Sequence, residues 1–223
     1  WCVLFSPKPR GPPLFFYKKP PAPQNFCGPR VGFLTQKTFA QNKLIVTLNL
    51  KEIVMPKPMT ADKPFPTTEG LCRDAYSLRV ISPAYATPTG ELNAVLQYLY
   101  HYHHFKACGY ADFADTIESI AIAEMMHLKL LGASILALGA APIYTANPPA
   151  LFNFYSSKFV TYSRSLVCMA EDDVRAEKQA IHDYERILRV LKNAKVKEII
   201  ERILEDERMH LAAFEDILHS LKS

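Results

Sequence analysis

The chain has 223 residues, of which 49% are hydrophobic and 22% are charged, a composition typical of a globular protein with a substantial core. This balance excludes a collagen-like chain, a wholly disordered chain and a small domain held by disulfides. The formal net charge of +4 would by itself suggest an acidic partner such as nucleic acid.

The N-terminal quarter of the chain carries all of that positive charge. Residues 1–54 contain eight basic residues and one acidic residue, so the rest of the chain has 18 basic and 21 acidic residues and a net charge of −3. The same segment holds eight of the 17 prolines and shows no helical or strand periodicity. We therefore predict a disordered N-terminal region over residues 1–70, a helical domain over residues 71–223 and no nucleic-acid partner.

The codons of Lys51 and Glu52 offer a second interpretation of this segment. The dipeptide can be encoded by a bacterial ribosome-binding sequence, and the next two codons would then form the spacer before a start codon at Met55. Translation would begin at Met55, or at Met59, and residues 1–54 would not be native protein. The alternative is a genuine proline-rich tail, and the mass of the native N-terminus distinguishes the two.

Targeting signals and cysteine motifs are weak throughout the chain. No apolar run approaches the roughly eighteen residues that a membrane-spanning helix needs, and the short apolar runs lack the flanks of a signal peptide. We therefore expect a cytoplasmic protein with no membrane partner. The five cysteines contain no Cys-x-x-Cys pair, which argues against a zinc ribbon, a rubredoxin-type iron centre and a disulfide framework.

Four long amphipathic helices are predicted from residue 87 onward. The first begins at an N-cap, Thr87, and ends at Gly109, and the second begins near a cap at Asp112 and ends at Gly139. Residues 140–165 are proline-containing and are predicted to be irregular. Two more helices follow them.

The lengths of the connections predict the topology. The connection near Gly109 is short, as is a hinge near Asn193 between the third and fourth helices, so each joins an antiparallel helix hairpin. The 26-residue linker between the hairpins can cross the whole bundle, because a helix rises about 1.5 Å per residue and an extended chain about 3.3 Å. We predict an all-α four-helix bundle of two antiparallel hairpins joined by a long crossover.

Six ionisable residues occupy positions that the helical periodicity assigns to the core, where an unpaired carboxylate is costly. They are Glu91, Glu124, His127, Glu177, Glu207 and His210. The glutamates lie 18 and 15 residues from the turn in the first hairpin and 16 and 14 residues from it in the second. Four carboxylates and two imidazoles should therefore converge near the middle of the bundle.

Two divalent cations would neutralise these four carboxylates, which would otherwise repel one another and take up protons. The Glu-x-x-His spacing places both ligands on one helix face. It occurs twice, and each copy follows another core glutamate by 33 or 30 residues, which is the pattern of an internally duplicated hairpin. We predict a di-iron or di-manganese carboxylate site.

Two segments resemble the ferritin-like superfamily of di-metal carboxylate proteins. Glu-Leu-Asn-Ala-Val-Leu-Gln-Tyr, from Glu91 to Tyr98, resembles the first-helix signature shared by bacterioferritins and manganese catalases. Ala-Glu-Met-Met-His, ending at His127, resembles their second-helix motif. The resemblance covers about residues 85–221 and implies a ferritin-like four-helix bundle.

The resemblance also implies a role for each candidate residue. Glu124 and Glu207 would lie between the two metals, Glu91 with His127 would serve one metal, and Glu177 with His210 would serve the other. Tyr98 would be a hydrogen-bonding residue beside the site and is the candidate for the catalytic role. Met125 falls where bacterioferritin places its haem-ligating methionine, although a methionine on a helix is more often a packing residue.

Several features depart from individual members of the superfamily. The cysteine pattern provides no electron-transfer centre of the kind a complete rubrerythrin carries, and manganese catalases usually extend well beyond the fourth helix. His101, His103 and His104 near the end of the first helix are interpreted as imidazoles favoured by the helix dipole, or alternatively as an accessory metal or iron-entry site. An acidic start to the third helix, including Asp173, is explained by the same dipole.

Three functions are compatible with this sequence. The first is an oxidoreductase that uses two manganese or two iron ions to disproportionate hydrogen peroxide or to oxidise Fe(II) with dioxygen or peroxide. The second is an iron-storage subunit of the bacterioferritin type, with haem as a possible further cofactor and a homo-oligomer as the expected assembly. The third is a structural bundle without metal, which would leave the buried carboxylates unexplained.

Overall fold

The computed structural model describes residues 55–150 and 152–223. These residues form five α-helices: α1 (Ala75–Ala86), α2 (Glu91–Ala107), α3 (Ala111–Ala137), α4 (Leu166–Val190) and α5 (Ala194–Lys222). The pairs α2–α3 and α4–α5 are joined by tight turns and pack as two hairpins, and a long crossover connects them. The predicted all-α four-helix bundle is confirmed, with α1 as an additional short helix.

The N-terminal part of the chain is only partly described. The proline-rich segment 1–54, together with the predictions about its disorder and translation, lies outside the described residues. Residues 55–70, which the sequence assigned to the same N-terminal region, contain no helix or strand but follow a defined path along the bundle. Their hydrogen bonds to α3 and α5 make them part of the folded domain, so the predicted boundary at residue 71 excludes a segment that packs on the bundle.

Helix α1 was not predicted, because it is short and contains Pro83. Its start is nevertheless capped, since the Asp74 side chain accepts hydrogen bonds from the backbone N–H groups of Tyr76 and Ser77. Its end is closed by Thr87, whose hydroxyl donates to the carbonyl of Pro83 at 2.7 Å. Thr87 therefore ends α1 and does not cap α2, contrary to the sequence interpretation.

The N-cap of α2 is Gly90, at a position where only glycine fits. A Cβ atom built there would lie 2.7 Å from the carbonyl oxygen of Ala84, because the end of α1 turns sharply into α2. The predicted cap at Asp112 was also wrong, since α3 begins after Tyr110 and Asp112 lies in its first turn. The predicted hinge near Asn193 is confirmed, and its side chain caps α5.

Two apolar clusters fill the bundle on either side of a polar layer. One cluster lies toward the C-terminal ends of α3 and α4, and its fully buried members include Leu131, Ile199 and Ile203. The other surrounds Tyr98 and Phe214. The six predicted ligand residues occupy the helix positions between these clusters, so the fold places them in a layer shielded by apolar side chains above and below.

Helix α3 is apolar enough that, by length and composition alone, it could cross a membrane. In the structure it is a core helix of the bundle, with half of its most apolar window buried against the other helices. It also carries Glu124 and His127, both buried and both facing other ionisable groups. Its hydropathy is explained by its place in the core.

Candidate metal centre

The structure brings all six predicted ligand residues together in two overlapping groups. Glu91, Glu124, His127 and Glu207 form the first, and Glu124, Glu177, Glu207 and His210 form the second. Within each group the candidate ligand atoms lie within 4.8 Å of one another, and every member is buried. Glu124 and Glu207 belong to both groups, while the other four residues belong to one group each.

The two histidines present the same ring nitrogen to this layer. His127 Nδ1 lies 3.1 Å from Glu124 Oε2 and 3.2 Å from Glu207 Oε1, and His210 Nδ1 lies 2.8 Å from Glu124 Oε1. The outer nitrogens are held elsewhere: His127 Nε2 lies 3.0 Å from Asp206 Oδ2, and His210 Nε2 donates to the Met59 carbonyl at 2.8 Å. Both imidazoles are thus fixed with Nδ1 directed at the carboxylates.

Three buried polar atoms of this layer make close charge contacts but no well-aligned hydrogen bond with the described residues: Glu124 Oε1, Glu207 Oε1 and His210 Nδ1. Buried polar atoms normally make hydrogen bonds, so atoms at the centre of a protein that make none call for a further ligand. Two carboxylate oxygens and an imidazole nitrogen are donors that manganese and iron accept. The residues present therefore fit a pair of divalent cations.

The carboxylates of this layer do not share one protonation state in the metal-free chain. Burial, with the negative charge of Glu124 as the next cause, raises the pKa of Glu91 well above its ordinary value. Burial and the charge of Glu207 act in the same way on the pKa of Glu177. Burial raises the pKa of Glu207 to about 8. Glu207 therefore holds a proton near neutral pH, and the pKa values of Glu91 and Glu177 are shifted in the same direction.

The pKa of Glu124 shifts in the opposite direction. Burial opposes its ionisation, but a hydrogen bond from Glu91 and the charges of His210 and His127 hold the pKa of Glu124 well below its usual range. Burial likewise acts against protonation of the histidines, and the charge of Glu124 outweighs it, so the pKa values of His127 and His210 are raised. Protons thus supply the positive charge in the metal-free site, and metal binding has to displace them.

Two tyrosines hold the outer carboxylates in a reciprocal arrangement. Tyr98 on α2 donates to Glu177 Oε1 on α4 at 2.6 Å, and Tyr184 on α4 donates to Glu91 Oε1 on α2. Both tyrosines are buried, and burial raises both of their pKa values well above the ordinary range, which keeps the hydroxyls protonated as donors.

Tyr184 was missed in the sequence, although a signal for it is present. Tyr98 follows Glu91 by seven residues, and Tyr184 follows Glu177 by the same number. Seven residues are close to two helical turns, so each tyrosine shares a helix face with its glutamate. The internal duplication therefore extends beyond the Glu-x-x-His pairs.

A cavity of about 300 Å³ connects this layer with the surface between the start of α2 and the middle of α4. Its inner wall includes Glu91, Glu177 and Tyr98, and its outer wall includes the exposed side chains of Thr89 and Arg175. A small molecule entering there would meet the carboxylates directly. The opposite side of the layer is covered by residues 59–65.

The remaining sequence candidates lie away from the two groups. Met125 is on the outer side of α3 with 36% of its surface exposed, so its predicted role in haem binding stays a prediction. His103 is exposed beside the Tyr102 ring, and the His104 ring packs on Tyr100. Within the described part of the chain, none of the histidines at positions 101, 103 and 104 belongs to a candidate metal group.

His101 is buried rather than placed at a free helix end. Its Nδ1 lies 2.8 Å from Asp173 Oδ1, and its Nε2 lies 3.2 Å from the carbonyl of Thr161 in the crossover. Gln97 also donates to Asp173, at 2.9 Å. The acidic start of α4 is thus more than a response to the helix dipole, because Asp173 joins α4 to α2 and, through His101, to the crossover.

Comparison with known proteins agrees with this fold. A model of the ferritin-like domain family matches residues 88–223. A bacterioferritin from Desulfovibrio desulfuricans is 28% identical over 154 residues, which is 68% of this chain and 79% of that protein. A crystal structure of a bacterioferritin from Desulfovibrio desulfuricans, described with a diiron site, matches with a TM-score of 0.57 and 27% identity over 66% of this chain and 81% of its own.

Two further solved structures share the fold. KatB, a manganese catalase from Anabaena, matches with a TM-score of 0.63 and 21% identity, covering 73% of this chain and 80% of its own. A dodecameric thioferritin from Bacteroides fragilis matches with a TM-score of 0.54 and 23% identity, covering 67% and 89% of the two chains. At these identities the two structures bear on the fold alone.

Proposed function

Because the chain belongs to the ferritin-like domain family, we propose that it is a di-metal carboxylate oxidoreductase acting on hydrogen peroxide or dioxygen. Two manganese or two iron ions would be held by Glu91, Glu124, His127, Glu177, Glu207 and His210. The observation that carries this proposal is the pair of overlapping buried groups that share Glu124 and Glu207. Two positions with two common carboxylates suit a pair of adjacent ions.

Charge supports the same occupancy. Four ionised carboxylates in a buried layer need four positive charges. Two divalent cations supply these charges, and in the metal-free chain bound protons take the place of the cations. Such a metal pair would cycle between oxidation states and so exchange two electrons with peroxide or dioxygen. Carboxylate and imidazole ligands suit manganese and iron alike, so the ligand set does not favour one metal.

The chain itself would orient the ligands and limit access. Tyr98 would position Glu177, and Tyr184 would position Glu91, through the hydrogen bonds already described. Both hydroxyls act through a carboxylate, so we assign them a positioning role and extend the predicted role of Tyr98 to Tyr184. The apolar clusters exclude bulk water, and the cavity of about 300 Å³ admits only a small substrate.

A second candidate function is iron storage in a homo-oligomer of the bacterioferritin type. The specific observation in its favour is the match to a bacterioferritin over 79% of that protein's length. The exposed position of Met125 would place a haem at an interface between chains, outside the bundle. A cytoplasmic location remains the expectation for either function.

Metal analysis and two activity assays test the proposal. The purified full chain is expected to bind two manganese or iron ions, and the manganese form is expected to release dioxygen from hydrogen peroxide if the catalase-like branch holds. Rapid oxidation of Fe(II) without such release favours the ferroxidase or storage branch, and the assembly mass separates those two. Glu201→Gln on the exposed side of α5 is a matched control for Glu207→Gln. A full chain that binds neither metal would exclude both functions.

A further inference from the structure

The duplicated halves of the metal layer differ in the groups that contact the outer nitrogens of the two histidines. His127 Nε2 lies 3.0 Å from Asp206 Oδ2, a carboxylate oxygen. His210 Nε2 donates at 2.8 Å to the Met59 carbonyl, a neutral acceptor. Asp206 directly precedes Glu207, whereas the residue that precedes Glu124 is Ala123, so the duplication does not provide a second carboxylate.

The neutral acceptor comes from a segment outside the four-helix bundle, which we call the N-terminal strap and define as residues 57–65. The strap is attached to α3, where Met59 N–H donates to the Ser119 carbonyl at 3.1 Å. The Met59 side chain packs against the apolar cluster around Tyr98 and Phe214. These contacts hold the Met59 carbonyl at hydrogen-bonding distance from His210 Nε2.

The other end of the strap is attached to Asp206. The backbone N–H of Ala61 donates to Asp206 Oδ1 at 2.6 Å, and Arg202 donates to the same oxygen at 2.6 Å. Arg202 also donates to the strap carbonyls of Ala61 at 3.0 Å and Lys63 at 3.1 Å. Arg202 is itself 5% exposed, so this is a buried junction between the strap and α5.

An aromatic ring completes the junction. The guanidinium of Arg202 lies 4.3 Å from the centroid of the Phe65 ring, and that ring meets the edge of His127 with centroids 5.9 Å apart. The outer sides of both histidines are therefore covered by strap residues or by residues that the strap holds. Removing the strap would expose the outer nitrogen of His210 and release Asp206 from one of its donors.

The nature of the outer partner determines how strongly an imidazole binds a metal. A carboxylate that accepts the outer N–H raises the basicity of the ring more than a neutral carbonyl does. Arg202 and Ala61 occupy Oδ1 of Asp206, which leaves Oδ2 for His127. His127 should therefore be the stronger ligand and His210 the weaker one.

We propose that the N-terminal strap is a structural part of the metal centre and that, through Met59 and Arg202, it makes the two metal positions unequal, with the His127 position binding more tightly. This inference rests on the proposed di-metal function and adds to it an order of metal loading. The strap residues are positioning residues, since each acts through a histidine or through Asp206.

Titration of the metal-free full chain with Mn(II) tests the inference. We expect two binding steps in calorimetry, and an electron paramagnetic resonance signal of isolated Mn(II) in the first step that is replaced by a coupled signal in the second. Met59→Ala keeps the backbone carbonyl but removes the packing that holds it against His210 Nε2. The second step should therefore weaken toward the about 10- to 100-fold loss that follows when an outer partner is lost, and the first step should be unchanged. Arg202→Gln removes the cation that holds Asp206 Oδ1, so Oδ2 should no longer be fixed on His127 Nε2 and the first step should weaken by a similar factor.

Matched variants separate positioning from general destabilisation. Met59→Leu keeps the packing of the side chain and should restore the second step, and Arg202→Lys should partly restore the first. Arg208→Gln and Met209→Ala, both at exposed positions of α5, should leave both steps unchanged. A lower melting temperature in Met59→Ala with unchanged stepwise affinities would overturn the proposal.

The outcomes also separate this inference from the proposed function. A wild-type chain that binds neither Mn(II) nor Fe(II) removes the di-metal proposal altogether. Two equal steps, with the coupled signal present from the first addition, overturn only the inequality. If Met59→Ala fails to fold, the test uses the wild-type chain and Arg202→Gln. Two unequal steps in the wild type, of which Arg202→Gln weakens the first, support the proposal. Two unequal steps that Arg202→Gln leaves unchanged overturn it.

Discussion

The two helix hairpins supply the candidate metal centre in equal parts, but they do not supply equal environments. The α2–α3 hairpin provides Glu91, Glu124 and His127 in the same order as the α4–α5 hairpin provides its three residues. The pKa of Glu124 is nevertheless lowered, because a hydrogen bond from Glu91 and the charges of both imidazoles outweigh burial. The pKa of Glu207 is raised to about 8, because burial and the negative charges of Glu124 and Glu91 dominate there. A duplicated sequence therefore fixes which atoms meet, and the surrounding chain decides their charge.

The largest expected effect concerns the two shared glutamates. Glu124→Ala and Glu207→Ala each remove a ligand common to both groups, so elemental analysis should find the bound metal reduced at both positions. Glu91→Ala and Glu177→Ala remove a ligand from one group each, and one ion should remain. Glu201→Ala, at an exposed position, is the control. Full metal content in both shared-glutamate variants would contradict the assignment.

The next effect distinguishes the same two glutamates in the metal-free chain. Glu207 holds a proton below pH 8, so Glu207→Gln imitates its protonated form and should change the free energy of unfolding little. Glu124→Gln removes the ionised partner of two buried imidazoles and should cost about 3–5 kcal/mol. Urea denaturation at neutral pH measures both. Equal losses in the free energy of unfolding of the two variants would mean that Glu124 and Glu207 are protonated to the same extent.

The sequence predicted the meeting of six side chains because that prediction needs only helical periodicity and distances from two turns. It did not predict α1, since a short helix containing Pro83 has no long apolar stripe. It also missed the strap, because the Met59 carbonyl acts through the backbone, where residue type carries no signal. Asp173 was assigned to the helix dipole because its partner, His101, lies 72 residues away on another helix. Contacts between distant segments that do not follow from helical periodicity could not be predicted from one sequence.

A smaller effect is the pH dependence of the metal-free and metal-loaded forms, which should have opposite signs. Between pH 4.5 and about 8, Glu207 is protonated in the folded metal-free chain and ionised in the unfolded chain, so folding takes up protons and stability falls as the pH rises. The raised pKa values of Glu91 and Glu177 act in the same direction. Bound metal requires ionised carboxylates, so the loaded form should gain stability over the same range. Melting temperatures across this range, with and without metal, measure both slopes.

The smallest expected effect concerns the two tyrosines, whose hydrogen bonds to the glutamates match in the two hairpins. Tyr98→Phe removes the donor to Glu177, and Tyr184→Phe removes the donor to Glu91. Each should cost about 1–2 kcal/mol, and each metal-loaded variant should retain both ions, because a hydrogen bond that orients a ligand is lost and the ligand itself remains. Melting temperature and metal content measure the two effects. Similar losses of stability in the two variants would show that the duplication extends to these tyrosines. The halves would then be unequal only at the histidines and at the glutamates that face them. A much larger loss in activity for Tyr98→Phe alone would instead place a reacting group at Tyr98, which lines the cavity beside the carboxylates, as Tyr184 does.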